Sequence, residues 1–193
     1  MPHTEQEIPN IAIHMIRRDL ENLPEFGLPP GFRIRWYQPG DRDTWVRIHL
    51  AAERYVTITP ELFDREFGPD EAELARRQAY LCDEGGRAIG TATAWFDPAY
   101  HGQPFGRVHW VAIVPEMQGR GLSKPLLSAV CQRLKALGHE RAYLVTSTAR
   151  IPAIKLYLRF GFVPEIRVDE DVRAWRIVAG HIDHPALRPF REG

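Results

Sequence analysis

The stretch HWVAIVPEMQGRGLSKPLLSAVCQRLKALG, His109–Gly138, decides the fold. Its β-branched and apolar run Val111-Ala112-Ile113-Val114 stops at Pro115, and a short turn delivers Gln118-Gly119-Arg120-Gly121-Leu122-Ser123. Behind the turn, Leu122, Leu126, Leu127, Val130, Leu134 and Leu137 recur at helical spacing and make one buried face. Proline is tolerated only in the first turn of a helix, so Pro125 sets the start no earlier than about Gly121. The N–H groups of the Gly119–Lys124 loop and first turn then lack intrahelical acceptors and point outward at the positive end of the helix dipole. Gly119 and Gly121 let a ligand approach the backbone, while Arg120 and Lys124 add charge. Such a turn suits a diphosphate. A surface strand-turn-helix whose glycines only make the turn is the alternative that the residues alone leave open.

Upstream, residues 1–10 read as a loose tail and Ile11–Ile16 as a short strand. Glu21–Gly31, with three prolines and two glycines, reads as an extended loop that packs Leu23, Phe26 and Leu28 across the surface. Phe32–Tyr37 reads as a strand, and Asp41 and Asp43 offer N-caps for a helix bearing Trp45, Ile48 and Ala52. Thr59-Pro60 starts a second helix whose apolar face is Leu62, Phe63 and Phe67. Ala79–Cys82 and Arg87–Phe96 form a hairpin about Asp83–Gly86, Asp97–Gly106 is a loop, and Arg107–Val114 is a strand. After the Gly121–Leu137 helix come a strand at Arg141–Thr146, a helix at Pro152–Phe160, and strands at Val163–Val168 and Val172–Ala179 that look like a closing hairpin. The order predicts an α/β domain, a mixed sheet with helices on both faces. The expected organisation is a tail and loop over 1–30, the domain over 31–180 and a tail over 181–193.

The bulk properties narrow the function classes. With 25 basic and 25 acidic residues the chain is formally neutral, so the electrostatic footprint of a nucleic-acid binder is missing. Its 44% hydrophobic and 26% charged content is that of an ordinary globular domain. Cys82 and Cys131 have no paired spacing and read as buried, reduced thiols. The start MPHTEQEIPN is not that of a signal or transit peptide, and no apolar run is long enough to cross a bilayer. The expected location is the cytoplasm.

The string Pro115-Glu116-Met117-Gln118-Gly119-Arg120-Gly121-Leu122-Ser123 resembles the acetyl-CoA signature of the GNAT superfamily, with Ser123 in place of its last Gly/Ala. RIPAIKLYLRFGF, Arg150–Phe162, resembles that family's second hallmark through Ala153, Leu156, Tyr157, Gly161 and Phe162. The opening ENLPEFGLPPGF is similar to GNAT proteins of the mycothiol-synthase-like group. The resemblance implies a GNAT-like, mostly antiparallel sheet of about seven strands. It implies acetyl-CoA as co-substrate, with Val111, Ala112 and Ile113 presenting main-chain groups to the pantetheine arm. Gln118, Gly119, Arg120, Gly121, Leu122, Ser123 and Lys124 would cradle the pyrophosphate.

The same resemblance makes Tyr157 the general acid for the leaving thiolate and places His109 where many relatives carry a basic glutamate. Histidine can accept a proton near neutral pH, and alternation along the strand would put His109 on the face of Val111 and Ile113, opposite Trp110. A histidine hydrogen-bonded within the sheet, with a water chain as base, is the alternative. Arg150 stands where the family has asparagine and could bind a CoA phosphate, meet an acidic acceptor or lie at the surface. No Cys or Ser sits in a nucleophile setting, so the expected reaction is N-acetylation of an amine acceptor, small molecule or protein, in a ternary complex. The second reading is an acyl-CoA sensor without catalysis. His181-x-x-His184 lacks companion ligands and no metal is expected. Asp169-Glu170-Asp171 reads as the turn between the closing strands, and Trp36, Trp95, Trp110 and Trp175 fall in predicted strands, Trp110 being the best candidate for an acceptor pocket. Neither nucleic acid nor membrane is an expected partner, and a homodimer is compatible with this reading.

Overall fold

The computed structural model describes residues 7–191, so residues 1–6 of the expected tail and 192–193 of the C-terminal one lie outside the described residues. The chain divides into two compact units, residues 18–142 and residues 7–17 with 143–191. Among the described residues, seven strands and six α-helices bear out the α/β class, and four of the strand pairings are antiparallel.

In the larger unit the strands β2 (Arg33–Trp36), β3 (Gln78–Cys82), β4 (Ala88–Tyr100) and β5 (Gln103–Ile113) form an antiparallel meander. The hairpin at Asp83–Gly86 forms as expected, the Asp83 carboxylate accepting the Arg87 N–H at 2.9 Å. The expected loop over Asp97–Gly106 does not. β4 runs on to Tyr100, which pairs with Gln103 across a turn at His101-Gly102, both left-handed at φ 52° and 73°. Two left-handed residues match the twist of a two-residue hairpin, and this outweighs the two prolines and two glycines that suggested a loop.

Helices α1 (Asp41–Ala52), α2 (Pro60–Phe67), α3 (Glu71–Arg77) and α4 (Ser123–Ala136) cover this meander. Trp95 on β4 meets Phe67 of α2, ring centroids 5.4 Å apart, while a Cβ at Gly106 would touch Leu134 of α4. Trp95 pairs with Arg107 and Phe96 with Gly106, so the pleat puts α2 and α4 on opposite faces. Leu126, Leu127, Val130, Cys131 and Leu134 are the buried stripe of α4. The Glu21–Gly31 segment is irregular and packs down: Leu23 is buried, and Ser128 Oγ accepts the Phe26 N–H at 3.1 Å while donating to the Pro24 carbonyl at 3.0 Å.

Two helix starts differ from expectation. α1 is capped by Gly40, not by Asp41 or Asp43. Asp41 instead accepts the Gln38 N–H at 2.8 Å and pairs with Arg35 at 2.7 Å, which commits its carboxylate outside the helix. α3 was not expected, although Asp70 accepts the Glu73 N–H at 3.0 Å as an ordinary N-cap.

The smaller unit carries β1 (Ala12–Arg17), β6 (Ala142–Ser147) and β7 (Val163–Glu165) in the order β6-β1-β7, with His14 opposite Glu165 and Ile16 opposite Val163. Helix α5 (Ile151–Arg159) matches the predicted one. The predicted strand Val172–Ala179 is instead part of helix α6 (Asp169–Ala179), so there is no closing hairpin. Ala174, Trp175, Val178 and Ala179 are buried, a helical stripe that a short apolar run does not separate from a strand. Asp169-Glu170-Asp171 is accordingly a first helical turn, where acidic side chains complement the dipole, and Asp171 accepts the Arg167 N–H at 2.7 Å. Residues Pro185–Phe190 form a 3-10 helix that buries Leu187. Both cysteines are buried, and neither is in a disulfide.

Thr59 caps α2 through its hydroxyl, which accepts the Leu62 N–H at 3.2 Å. Thr59→Ala is expected to lower unfolding stability by about 1 kcal/mol, read as a lower denaturant midpoint at unchanged slope.

Candidate functional site

β5 ends at Ile113, a 3-10 turn spans Pro115–Met117, and α4 begins at Ser123 without a side-chain cap on its first turn. Gly119 and Gly121 are both left-handed, φ 75° and 76°, with Arg120 between them. A side chain strains that backbone, whereas glycine adopts it freely and turns successive N–H groups toward one concavity. The N–H groups of Gln118 and Lys124 are bonded to the carbonyls of Pro115 and Gly121, at 3.2 Å each. Those of Gly119, Arg120, Gly121, Leu122 and Ser123 meet no protein acceptor among the described residues. Leu122, buried, anchors the turn, while Gly119, Arg120 and Gly121 are exposed. The Gln118 side chain folds back to the Ile113 carbonyl at 2.8 Å, tying the turn to the strand that precedes it. The Lys124 ammonium lies 5.8 Å over the Phe26 ring.

Further back on β5 the register slips. Thr91 faces Ala112 and Thr93 faces His109, so Ala92 stands opposite two residues, Trp110 and Val111. The extra residue makes a β-bulge with Trp110 left-handed at φ 49°, an uncommon conformation for an aromatic residue. The bulge overturns the alternation expected here. His109 and Trp110 do not face away from each other: Trp110 Nε1 donates to Glu66 Oε2 at 3.0 Å, and His109 Nε2 lies 2.9 Å from the same oxygen.

Glu66, from the last turn of α2, was not singled out from the sequence, where it is one of several charges on a short helix. Burial pushes the His109 imidazole down to about 4 against the pull of Glu66, and the His109 hydrogen bond holds the Glu66 carboxyl at about 2 despite partial burial. The two directions fit one state: neutral imidazole beside ionised carboxylate. An ionised carboxylate only accepts, so His109 carries its proton on Nε2. Aromatic rings close around the pair. Trp110 lies 5.1 Å from both Trp45 and His49, and Phe67 lies 5.6 Å from His109. Trp45 is fully buried, and its Nε1 has no hydrogen-bond partner among the described residues.

Tyr157 and Arg150 belong to the smaller unit. Tyr157 is nearly buried on α5, its ring 6.3 Å from that of Phe162. Arg150 is the N-cap residue of α5, its N–H bonded to the Ser147 carbonyl at 3.0 Å. A cleft of about 330 Å³ in the larger unit, lined by Tyr37, Arg42, Asp64 and Glu71 among others, includes none of the predicted site residues. Among the described residues no cluster of His, Cys, Asp and Glu could hold a metal, and no helix is long and apolar enough to cross a membrane.

Residues 45–162 match the model of the Acetyltransferase (GNAT) family. A mycothiol acetyltransferase of Pseudarthrobacter chlorophenolicus is 33% identical over 162 residues, covering 78% of this chain and 47% of that protein. One from an Arthrobacter species is 32% identical over 155 residues, with the same two coverages. The chain thus spans about half the length of the curated relatives it matches. Among solved structures, a GCN5-related N-acetyltransferase from Sphaerobacter thermophilus superposes with a TM-score of 0.67 at 19% identity, covering 83% of this chain and 50% of that one. The ribosomal-protein-S18-alanine N-acetyltransferase from Escherichia coli gives 0.55 at 19% identity, covering 67% and 76%. These likenesses show the fold.

The His109–Glu66 pair sets an acid limit on stability. The unfolded chain takes up the imidazole proton near 6.5, the folded one only near 4, so stability is lost as pH falls through that window. Glu66 adds a further loss between its ordinary 4.5 and about 2. In His109→Gln, denaturation between pH 7 and 4 should show a stability slope shallower by up to about one proton per molecule.

Proposed function

The chain belongs to the acetyltransferase (GNAT) family, and from that premise we propose that it transfers an acetyl group from acetyl-CoA to an amine by direct attack in a ternary complex. The observation that carries this reading is the row of five main-chain amides, Gly119–Ser123, left without protein acceptors at the start of α4. They suit the pyrophosphate of CoA, since a helix N-terminus favours negative charge and the left-handed glycines aim the N–H groups. A Cβ at Gly119 or Gly121 would meet nothing within 4 Å, so the concavity is open.

Arg120 and Lys124 add positive charge beside these amides, and the main chain of Val111–Ile113 receives the pantetheine arm as an added strand. Arg150 is assigned to a CoA phosphate and Tyr157 to the leaving sulfur. Acetyl-CoA, when bound, supplies the acetyl thioester. The amine nitrogen bonds to the carbonyl carbon as the C–S bond breaks; the nitrogen gives up a proton and the thiolate takes one from Tyr157. His109 holds a neutral imidazole with Nδ1 as acceptor, and its low proton affinity fits it to pass the proton on through water rather than keep it.

The mycothiol acetyltransferase relatives make a small amine-bearing molecule the first acceptor class to test. A donor of this kind and two buried cysteines outside any disulfide fit a cytoplasmic protein. The same low basicity of His109 also favours a second reading, an acyl-CoA sensor. Thiol release from acetyl-CoA across a panel of amines separates the two: release above background establishes the enzyme, and binding without release establishes the sensor.

Acetyl-CoA at a hundredfold excess over Kd should stabilise the protein by about 2.7 kcal/mol, read as a rise in Tm. Gly121→Glu puts bulk and negative charge on the concavity and should abolish that rise; retained affinity would displace the pyrophosphate from this turn. Tyr157→Phe should bind acetyl-CoA nearly as before and turn over slower by about a hundredfold. Unchanged turnover across pH would take Tyr157 out of the mechanism.

A further inference from the structure

Glu66 is the polar group of the β5 cluster to which the reaction above gives no task. Both N–H donors near it, His109 Nε2 and Trp110 Nε1, are spent on one oxygen, Oε2. The other, Oε1, meets no donor among the described residues. Arg107 lowers the Glu66 carboxyl further through its positive charge. The Glu66 side chain is 25% exposed where that of His109 is 8% exposed, so the carboxylate lies on the solvent side of the pair. Trp110, beside it, is half-buried and rests on the buried ring of Trp45. The cluster therefore holds a partly exposed, ionised carboxylate next to an indole.

That combination recognises an organic cation. An ammonium gains a charge-assisted hydrogen bond from the carboxylate. An alcohol gains only the weaker hydrogen bond, and a carboxylate is repelled. The bulge makes the arrangement specific, since a regular strand would turn either His109 or Trp110 away from Glu66.

We propose that Glu66 selects the acceptor: its Oε1 binds a protonated amino group beside the Trp110 indole, the ammonium releasing one proton to water before its nitrogen attacks, so that the site takes ammonium-bearing acceptors in preference to alcohols and carboxylates of the same size. The ionised state of Glu66 at neutral pH supports this, because the anchor stays charged wherever the enzyme works. The word acceptor rests on the acyltransferase reading; the cation site itself does not.

The test uses tryptophan fluorescence of the full chain titrated with phenethylammonium chloride, 2-phenylethanol and 3-phenylpropionate, three probes of one size and different charge. Wild-type protein is expected to bind the ammonium at least tenfold more tightly than the alcohol and the carboxylate more weakly still. Glu66→Gln should bring ammonium and alcohol within about twofold. No preference in the wild type, or an undiminished one in Glu66→Gln, overturns the proposal. The wild-type comparison requires no variant to fold, and Trp110→Phe, which keeps a ring and removes one of the two donors on Oε2, should retain a preference for the ammonium. Acetyl-CoA is added to each protein in a parallel thermal scan. If it fails to stabilise the wild type, the acyltransferase reading falls whatever the amine does; if it stabilises the wild type while the ammonium preference is absent, only the role of Glu66 falls.

Discussion

The extra residue in β5 is the constraint on which the candidate site depends. By placing Trp110 and Val111 opposite the single residue Ala92, the bulge lets two consecutive side chains, His109 and Trp110, reach one carboxylate on α2. The cost is a left-handed backbone at an aromatic residue. Tight packing offsets it: Trp110 lies against Trp45 and His49 of α1, and Phe67 of α2 lies against His109. The aromatic core between β5 and the first two helices is thus also what holds the polar cluster in register.

Burial then does the chemical tuning. A charged imidazole in that apolar setting would be costly, so His109 stays neutral and donates its one ring N–H in a hydrogen bond to Glu66. Glu66 is held ionised by the same hydrogen bond and by the Trp110 indole. Each group's state follows from the other's, and neither could be assigned from residue type. A lone histidine read as a base becomes, in its surroundings, a weak base joined to a strong anion.

The turn before α4 was readable in the sequence because its physics is local. Two glycines, a proline that dates the helix and a run of leucines at helical spacing need no distant partner to be understood. The α2 cap at Thr59 and the hairpin at Asp83–Gly86 were legible for the same reason. What escaped was set by contacts far along the chain. Glu66 meets His109 across 43 positions, and nothing near it on a short helix distinguishes it from Glu61 or Asp64. The bulge was invisible because strict alternation is the default for a strand, and a single inserted residue leaves no composition signal. α6 was mistaken for a strand because Val172–Ala179 is short and apolar, and only the burial of Ala174, Trp175, Val178 and Ala179 on one stripe decides it. Asp41 was mistaken for a cap because its type suits one, while Arg35 and the Gln38 amide in fact take its carboxylate.

The two polar features of the larger unit have opposite sign and share one strand. Gly119–Ser123 present uncapped N–H groups at a helix start, and Glu66 presents an unpaired carboxylate oxygen beside His109. Between His109 and Ile113 the strand rises roughly 3.3 Å per residue, less where it bulges, so these two residues lie on the order of 13 Å apart along β5. That spacing is set by covalent geometry and by the pairing of β5 with β4, with Gln118 bonded to the Ile113 carbonyl holding the turn to the strand's end. On the proposed reading, an anionic donor is gripped at one end and a cationic acceptor at the other. Electrostatics alone then sorts the two substrates: each is drawn to its own end and excluded from the other's, before any contact with the reacting atoms is made.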